Sequence, residues 1–195
     1  MTWVFLLALA GAVLWLVSTY NGLIALKGQT LNAWKQIDVQ LKRRYDLIPN
    51  LVNSVKGAMD FERETLEAVI TARNQAAKLQ AGAHPTGGVK QLAAAEAQLG
   101  SALSRLNVVV EQYPQLKATA NVAQLQEELT STENRVSFAR QLYNDTATSY
   151  NVRQEQFPTN LIAGLARATP VELWEIADEK ERAVPVVDLS GKPRV

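Results

Sequence analysis

The chain has 195 residues, of which 47% are apolar and 20% are charged, with a formal net charge of +1 and no cysteine. The apolar content is sufficient for a buried core, which excludes wholesale disorder. The near-neutral charge argues against a dedicated nucleic-acid-binding surface. The lack of cysteine excludes disulfides, thiolate metal sites and cysteine nucleophiles.

The N-terminal segment is apolar and has no charged side chain before Lys27. About 20 apolar residues in a helix cross the roughly 30 Å of hydrocarbon in a bilayer. Trp3 and Tyr20 lie near the two ends, at the level that amphipathic rings favour. A cleaved signal peptide is the alternative, since residues 8–10 offer a small-x-small pattern, but no basic leader precedes the apolar run, which continues well past that site. We predict an uncleaved transmembrane anchor over residues 1–26.

Basic residues follow this segment and none precede it. Those within about 20 residues of the span are the ones that set orientation: Lys27, Lys35, Lys42, Arg43 and Arg44. The positive-inside rule then predicts that the N-terminus lies outside and that the rest of the chain is cytoplasmic.

From Gln29 onwards, apolar residues recur at helical spacing. In the first helix they form a narrow seam with heptad-like steps, which is typical of helices packed nearly parallel in a bundle. The seam comprises Trp34, Ile37, Leu41, Tyr45, Ile48, Val52, Val55 and Met59. Pro49 lies beside it, yet the pattern resumes in phase, so we predict a kinked helix rather than a helix end.

Three more helices are predicted beyond a junction at Gly57 and Asp60. The second has an apolar stripe at Phe61, Leu66, Val69 and Ile70 and runs to about Leu79. A glycine-rich loop over residues 81–88 follows. The third runs from Val89 to about Gln112, with inward residues Leu92, Leu99, Leu103, Leu106 and Val110.

The last long helix is predicted from about Asn121, a plausible N-cap, to Phe157. Its stripe comprises Leu125, Leu129, Thr132, Val136, Ala139, Tyr143, Ala147, Tyr150 and Phe157. A short apolar helix, NLIAGLA, follows, and residues 169–195 have three more prolines and weak periodicity. The sequence therefore predicts an all-α protein: an anchor over 1–26, an antiparallel bundle of long helices over 27–168, and an irregular C-terminal tail over 169–195.

The stretch DVQLKRRYDLIPN is dense in charge. Arg44 falls on the edge of the apolar seam, whereas Arg43 points to solvent and Asp46 lies well round the other side. We interpret this stretch as the edge of a packed helix. Contact of Lys42, Arg43 and Arg44 with anionic lipid is the alternative, but three basic residues fall short of a polybasic signal.

A polar line borders the seam of the last long helix. It consists of Glu133, Arg140, Asn144 and Asn151. A buried arginine needs an acidic partner, so we expect Asp46 or Glu64 to pair with Arg140. We interpret the line as contacts to a neighbouring helix; a groove for a small ligand or a partner protein is the alternative.

Signatures of catalysis are missing from the sequence. The single histidine, His84, lies in the predicted loop, and the Glu-x-x-His pairs of di-iron bundles do not occur. No phosphate-binding glycine loop is present. We predict a non-enzymatic protein with no catalytic, metal-binding or cofactor-binding residues.

The chain resembles the LemA family in three runs. They are YNGLIALKGQTLNAWKQIDVQLKRRYDLIPNLVNSVKGAMDFERETLEAV, LNVVVEQYPQLKA and LQEELTSTENRVSFARQLYNDTATSYNVRQEQFPTNLIAGL. The resemblance covers Tyr20 to about Leu165 and departs from the family pattern beyond it. It implies a bacterial membrane protein with one N-terminal span and a long-helix bundle. A magnetosome protein of the family is linked to forming or shaping membranes.

The resemblance carries no catalytic residue over to this chain. Structural or interaction candidates are the positions that match the family's motifs and also lie in the two polar stretches: Arg44, Asp46, Glu133, Asn134, Arg140, Asn144 and Asn151. Their side chains offer ion pairs and amide hydrogen bonds rather than a nucleophile.

Two functions remain open. The first is a self-associating scaffold in the bacterial cytoplasmic membrane, whose partners are the lipid bilayer and further copies of the chain. The second is a binding or sensing module that docks another membrane protein. An enzyme with carboxylate-only chemistry is a remote third, and it would need two carboxylates buried together in one pocket.

Overall fold

The computed structural model describes residues 1–57, 62–117 and 119–175, and within these ranges its regular elements are all helices. They are α1 (Thr2–Lys56), α2 (Arg63–Gly82), α3 (Val89–Glu111), α4 (Pro114–Lys117), α5 (Ala120–Glu155) and α6 (Asn160–Ala163). The predicted all-α class is confirmed.

The predicted anchor segment and the first bundle helix are one continuous element. α1 has 55 residues, which is about 82 Å at a rise of 1.5 Å per residue. Its first part projects beyond the other helices with its apolar side chains exposed, and by length and composition it is able to cross a membrane. The helix continues through Pro49, as the resumed pattern predicted.

α1, α2, α3 and α5 form an antiparallel bundle around one core. Trp34 contacts Tyr143, and Asn121 at the start of α5 bonds to Ser54 near the end of α1, so these two helices run in opposite directions. α2 and α3 form a hairpin. α1 and α2 are also antiparallel, since Gln80 bonds to Asp38 and Arg73 bonds to Tyr45.

The predicted apolar seams face this core. Buried residues include seven of the first seam and five of α3: Trp34, Ile37, Leu41, Tyr45, Ile48, Val52, Val55, Leu92, Leu99, Leu103, Leu106 and Val110. In α5 the stripe is buried from Thr132 to Tyr150. Phe157 is exposed instead, because α5 ends at Glu155 and the helical register is lost there. Met59 and Phe61 lie outside the described residues.

The loop between α2 and α3 is closed by a pair of main-chain bonds between His84 and Gly87. Gly88 then begins α3 with a positive φ of 86°, where an added Cβ would come within 3.2 Å of the Cα of Ala83. A side chain is therefore strained there both by the backbone conformation and by the close approach.

The segment over residues 171–175, called here the C-terminal strap, has no regular secondary structure and lies against the bundle. Trp174 is buried in the main core, and Val171 and Leu173 pack beside it. Residues 176–195 of the predicted irregular tail lie outside the described residues. The predicted domain boundaries remain a prediction.

Candidate functional site

A buried carboxylate, Glu96 of α3, joins three helices at mid-height of the bundle. Its Oε2 accepts a hydrogen bond from Nη1 of Arg44 at 2.9 Å and one from Nη2 of Arg140 at 3.3 Å. Its Oε1 accepts the hydroxyl of Tyr45 at 2.6 Å. Both carboxylate oxygens are thus satisfied, as burial of a charge requires.

The electrostatics of this cluster follow from burial. Burial and the nearby negative charge of Glu96 raise the pKa of Tyr45 above its usual range, which keeps its hydroxyl protonated as a donor. Burial lowers the pKa of Arg140, and Glu96 opposes that shift. Glu133, which is largely exposed, lies 3.7 Å from Nη2 of Arg44 and adds a second negative charge. Two arginines therefore face two carboxylates.

Aromatic rings extend the cluster towards the strap. The guanidinium of Arg140 lies 4.5 Å from the ring centroid of Trp174, a cation–π distance. Trp34 of α1 packs at 6.4 Å from Trp174 and at 5.3 Å from Tyr143, measured between ring centroids. The strap is thereby part of the core rather than a loose appendage.

Two asparagines of α5 hold the main chain of the strap. Asn144 donates to the carbonyl of Trp174 at 2.9 Å and accepts from its N–H at 2.8 Å. Asn151 makes the same pair of bonds with Val171, at 2.9 and 3.0 Å. Seven residues of helix rise about 10.5 Å, and three residues of extended chain span about 10 Å. The two spacings match, so both amides engage at once.

Glu172 joins the strap to the start of α3. Its Oε2 accepts the N–H of Val89 at 2.9 Å and that of Lys90 at 3.4 Å. A carboxylate at a helix N-terminus satisfies otherwise unpaired N–H groups and complements the helix dipole. Its carbonyl accepts the hydroxyl of Tyr143 at 2.6 Å, and burial raises the pKa of that tyrosine.

The structure brings most of the predicted site residues into two groups. Arg44, Arg140 and Glu133 meet around Glu96, while Asn144 and Asn151 bind the strap. The prediction that Asp46 or Glu64 pairs with Arg140 was wrong, because Glu96 does so. Asp46 forms an exposed pair with Lys42 at 3.3 Å instead, and Asn134 is exposed.

Sequence reasoning missed Glu96 and Glu172. Glu96 carried a signal, because in AAAEAQL it is a lone charge at helical spacing from the inward-facing Leu92 and Leu99. Glu172 carried none, because it lies in the aperiodic segment that was expected to be irregular.

The polar line along α5 is not an open groove. The strap covers Asn144 and Asn151, and Glu96 and Trp174 engage Arg140. A cleft of about 250 Å³ remains between α3 and α5, with Arg44 at its floor and Asn107, Gln126 and Glu133 among its lining. The two acidic residues of its lining, Glu111 and Glu133, are exposed.

Chemically, the arrangement is suited to holding helices together. Glu133 is largely exposed while Glu96 is buried, so these two acids of the described cluster do not share a dry pocket. Among the residues that the structure describes, no group of three or more His, Asp and Glu side chains converges on a metal-sized space.

A comparison with known protein families decides to which family the chain belongs. The model of the LemA family matches residues 33–189. The chain belongs to the LemA family. The match includes the segment beyond Leu165, where the resemblance had been expected to end, and it therefore covers the strap and its contacts with α5.

Curated relatives of this LemA-family chain have two kinds of name. It is 25% identical over 167 residues to each of two magnetosome proteins, MamQ 1 and MamQ 2 of Paramagnetospirillum magneticum, covering 76% of this chain and 61% of theirs. It thus spans less than two thirds of those relatives. It is 28% identical over 166 residues to protein LemA of Metamycoplasma hominis, covering 85% of this chain and 73% of that protein.

Proposed function

We propose that this LemA-family chain is a non-enzymatic scaffold of a bacterial membrane that associates laterally with copies of itself. The observation that carries the proposal is an exposed apolar pair on α5, Phe138 and Leu142, on a bundle joined to the anchor by one unbroken helix. Phe138 is 73% exposed, and Leu142 lies one turn further along the same face.

The height of this pair above the bilayer is the same in every copy. Trp34 pairs with Tyr143, and Arg44 pairs with Glu133, so Phe138 is level with residue 39 of α1. That level is about 28 Å beyond the end of the apolar segment near Tyr20, at 1.5 Å per residue. A rigid α1 therefore presents the pair in one plane parallel to the membrane.

A second copy of the chain suits this geometry. Two anchored bundles related by a twofold axis along the membrane normal bring the same patch of each to one level, which is an isologous contact. Confinement to the membrane raises the effective concentration, so a small apolar contact suffices. An assembly of such bundles would gather its anchors into one patch of bilayer, and this is the membrane organisation that we propose.

The test is the mass of the full chain in a mild detergent, measured by light scattering during size-exclusion chromatography. We expect an oligomer that dissociates when Phe138→Ser and Leu142→Ser are combined. The matched control is Val39→Ser, since Val39 is 64% exposed at the same level but lies about 160° around α1 from the buried Leu41. Strictly monomeric wild-type protein at high concentration would contradict self-association. An oligomer that survives the double substitution would contradict the α5 contact.

We further propose a single-pass arrangement in the bacterial cytoplasmic membrane with the N-terminus outside and the bundle in the cytoplasm. The supporting feature is that the basic residues follow the anchor on its bundle side. Because the chain has no cysteine, Thr86→Cys in the α2–α3 loop offers a unique thiol. A membrane-impermeant maleimide should label it only after the cells are opened; labelling of intact cells, with the outer membrane permeabilised, would reverse the orientation.

Docking of another membrane protein on the same α5 face is the second candidate. Crosslinking in cells from Leu142→Cys distinguishes the two, because a scaffold yields adducts of the chain with itself. Adducts with an unrelated protein alone would favour the docking module.

A further inference from the structure

An exposed apolar triplet follows the end of α5. Phe157, Leu161 and Leu165 are each at least 70% exposed. Phe157 lies in the turn after α5, Leu161 lies in α6, and Leu165 lies in the turn after α6. Ile162 and Ala166 of the same stretch are buried, so the segment has one side on the bundle and one side free.

The register of α5 against α1 places this triplet near the bundle end of the predicted anchor. Trp34 lies beside Tyr143, and a one-for-one continuation along the antiparallel pair brings Glu155, the last residue of α5, level with Gly22. The packing agrees, because α6 contacts α1 and because Leu23 forms a small core with Tyr150 and Ala166.

The same stretch is the point at which the chain turns back from the membrane side. α5 runs towards the anchor and ends at Glu155. After this turn, Ala166 packs on Leu23. The strap then runs along α5 away from the anchor, first past Asn151 and then past Asn144. Residues 157–165 are thus the part of the described bundle nearest to the end of the apolar span.

Lipid is the occupant that fits this surface. The segment packs beside the exposed apolar part of α1, which is long and apolar enough to cross a membrane. The exposed arginines Arg153 and Arg167 flank the triplet, as is typical of segments that lie in the interface of an anionic membrane. Three large apolar side chains exposed within nine residues of chain mark an interaction site.

We infer that residues 157–165 form a second membrane contact, in which Phe157, Leu161 and Leu165 insert at the boundary between headgroups and acyl chains of the leaflet from which α1 emerges. This inference rests on the proposed single-pass arrangement. Contact at two points, the anchor and this segment, restrains the tilt of the bundle and so keeps the α5 face of each copy at a common level.

The experiment uses single cysteines in the full, otherwise cysteine-free chain. Leu161→Cys carries the environment-sensitive fluorophore NBD, and the protein is reconstituted into vesicles of phosphatidylcholine and phosphatidylglycerol. Some of the lipids carry a spin label near the headgroup as a quencher. Val39→Cys is the matched control, since Val39 is 64% exposed, is remote from the bilayer and lies outside the proposed α5 contact. Leu9→Cys reports on the anchor itself.

We expect the label at residue 161 to be quenched several-fold more strongly than the label at residue 39. Equal quenching at both positions, with the label at residue 9 quenched by lipids spin-labelled deep in the acyl chain, would overturn the membrane contact while leaving the anchor intact. Blue-shifted but unquenched emission at residue 161 would place protein over the segment and would also overturn the inference. An unquenched label at residue 9 would instead refute the proposed anchoring.

Discussion

Arg73 of α2 donates its Nε–H to the main-chain carbonyl of Tyr45 in α1, across 3.0 Å. Tyr45 is four residues before Pro49, whose ring nitrogen has no hydrogen to donate. The proline therefore releases a carbonyl from α1, and the neighbouring helix supplies the missing donor. The guanidinium of Arg73 also lies 6.0 Å from the ring centroid of Tyr45. The proline thus frees a main-chain carbonyl through which α1 binds α2.

The first prediction is that Pro49 and Arg73 are energetically coupled. Arg73→Ala leaves the Tyr45 carbonyl without its donor and should lower the free energy of unfolding by about 1–3 kcal/mol. In a Pro49→Ala background residue 49 regains an N–H, so the same Arg73→Ala change should cost much less. Denaturant unfolding of the full chain in detergent, followed by near-ultraviolet circular dichroism, measures all four proteins.

The control for this cycle is Arg43→Ala, because Arg43 is an exposed basic residue of the same helix. It should change the free energy of unfolding by no more than about 0.5 kcal/mol in either background. An equal cost of Arg73→Ala with and without the proline would show that the carbonyl contact does not depend on Pro49.

The second prediction concerns the buried carboxylate. Glu96→Gln leaves Arg44 and Arg140 without their shared negative charge, and breaking a buried ion pair in this way should cost about 3–5 kcal/mol. Asp46→Asn is the comparison, because it breaks the exposed pair with Lys42 and should cost less than about 1 kcal/mol. Unfolding in denaturant measures both. Equal, small losses would mean that Glu96 is not the charge that balances the arginines.

The third prediction concerns attachment of the strap. Asn144→Ala removes both hydrogen bonds to Trp174 and should ease local opening of the strap. A loss of about 1.4 kcal/mol raises the open population roughly tenfold. The rate of cleavage after Glu172 by a glutamate-specific protease, with products identified by mass spectrometry, reports this opening. Asn134→Ala at an exposed position should leave the rate unchanged; an equal rise there would point to a general loosening of α5.

The fourth prediction concerns alkaline pH. Burial raises the pKa of Tyr45 and of Tyr143 in the folded state above the ordinary value of about 10, and Glu96, Arg44 and Arg140 surround the Tyr45 hydroxyl. Between the unfolded and folded pKa values the unfolded state has fewer protons bound. Stability is therefore fully present below about pH 10 and is lost as the pH rises above it.

The measurement is the free energy of unfolding at several pH values on either side of about pH 10. Each of these tyrosines contributes a slope of at most about 1.4 kcal/mol per pH unit. Tyr45→Phe removes one titrating group, so it should lower the stability in neutral solution but flatten its decline at high pH. An unchanged alkaline slope in Tyr45→Phe would show that this hydroxyl titrates normally.

How far the candidate site was predictable differs from one residue to the next. Arg44 and Arg140 were recognisable because both border an apolar seam, and a seam is visible in one dimension. The carboxylate partner of Arg140 was assigned to the wrong part of the chain, since Glu96 lies on α3, 44 residues from Arg140. Spacing within one helix gives no information about which face of another helix it meets.

The amino-acid sequence by itself determined the class of this protein: its long helices, their inward faces and the apolar N-terminal segment. These features follow from the periodicity of side chains against the turn of a helix, which is a local property. Only the tertiary structure decided that Glu96 closes the charged cluster, that Arg73 satisfies the carbonyl released by Pro49, and that the strap lies on Asn144 and Asn151. Each of these depends on groups brought together from distant parts of the chain. Hydrogen bonds to main-chain atoms are also invisible in the sequence, because every residue type has a main-chain carbonyl.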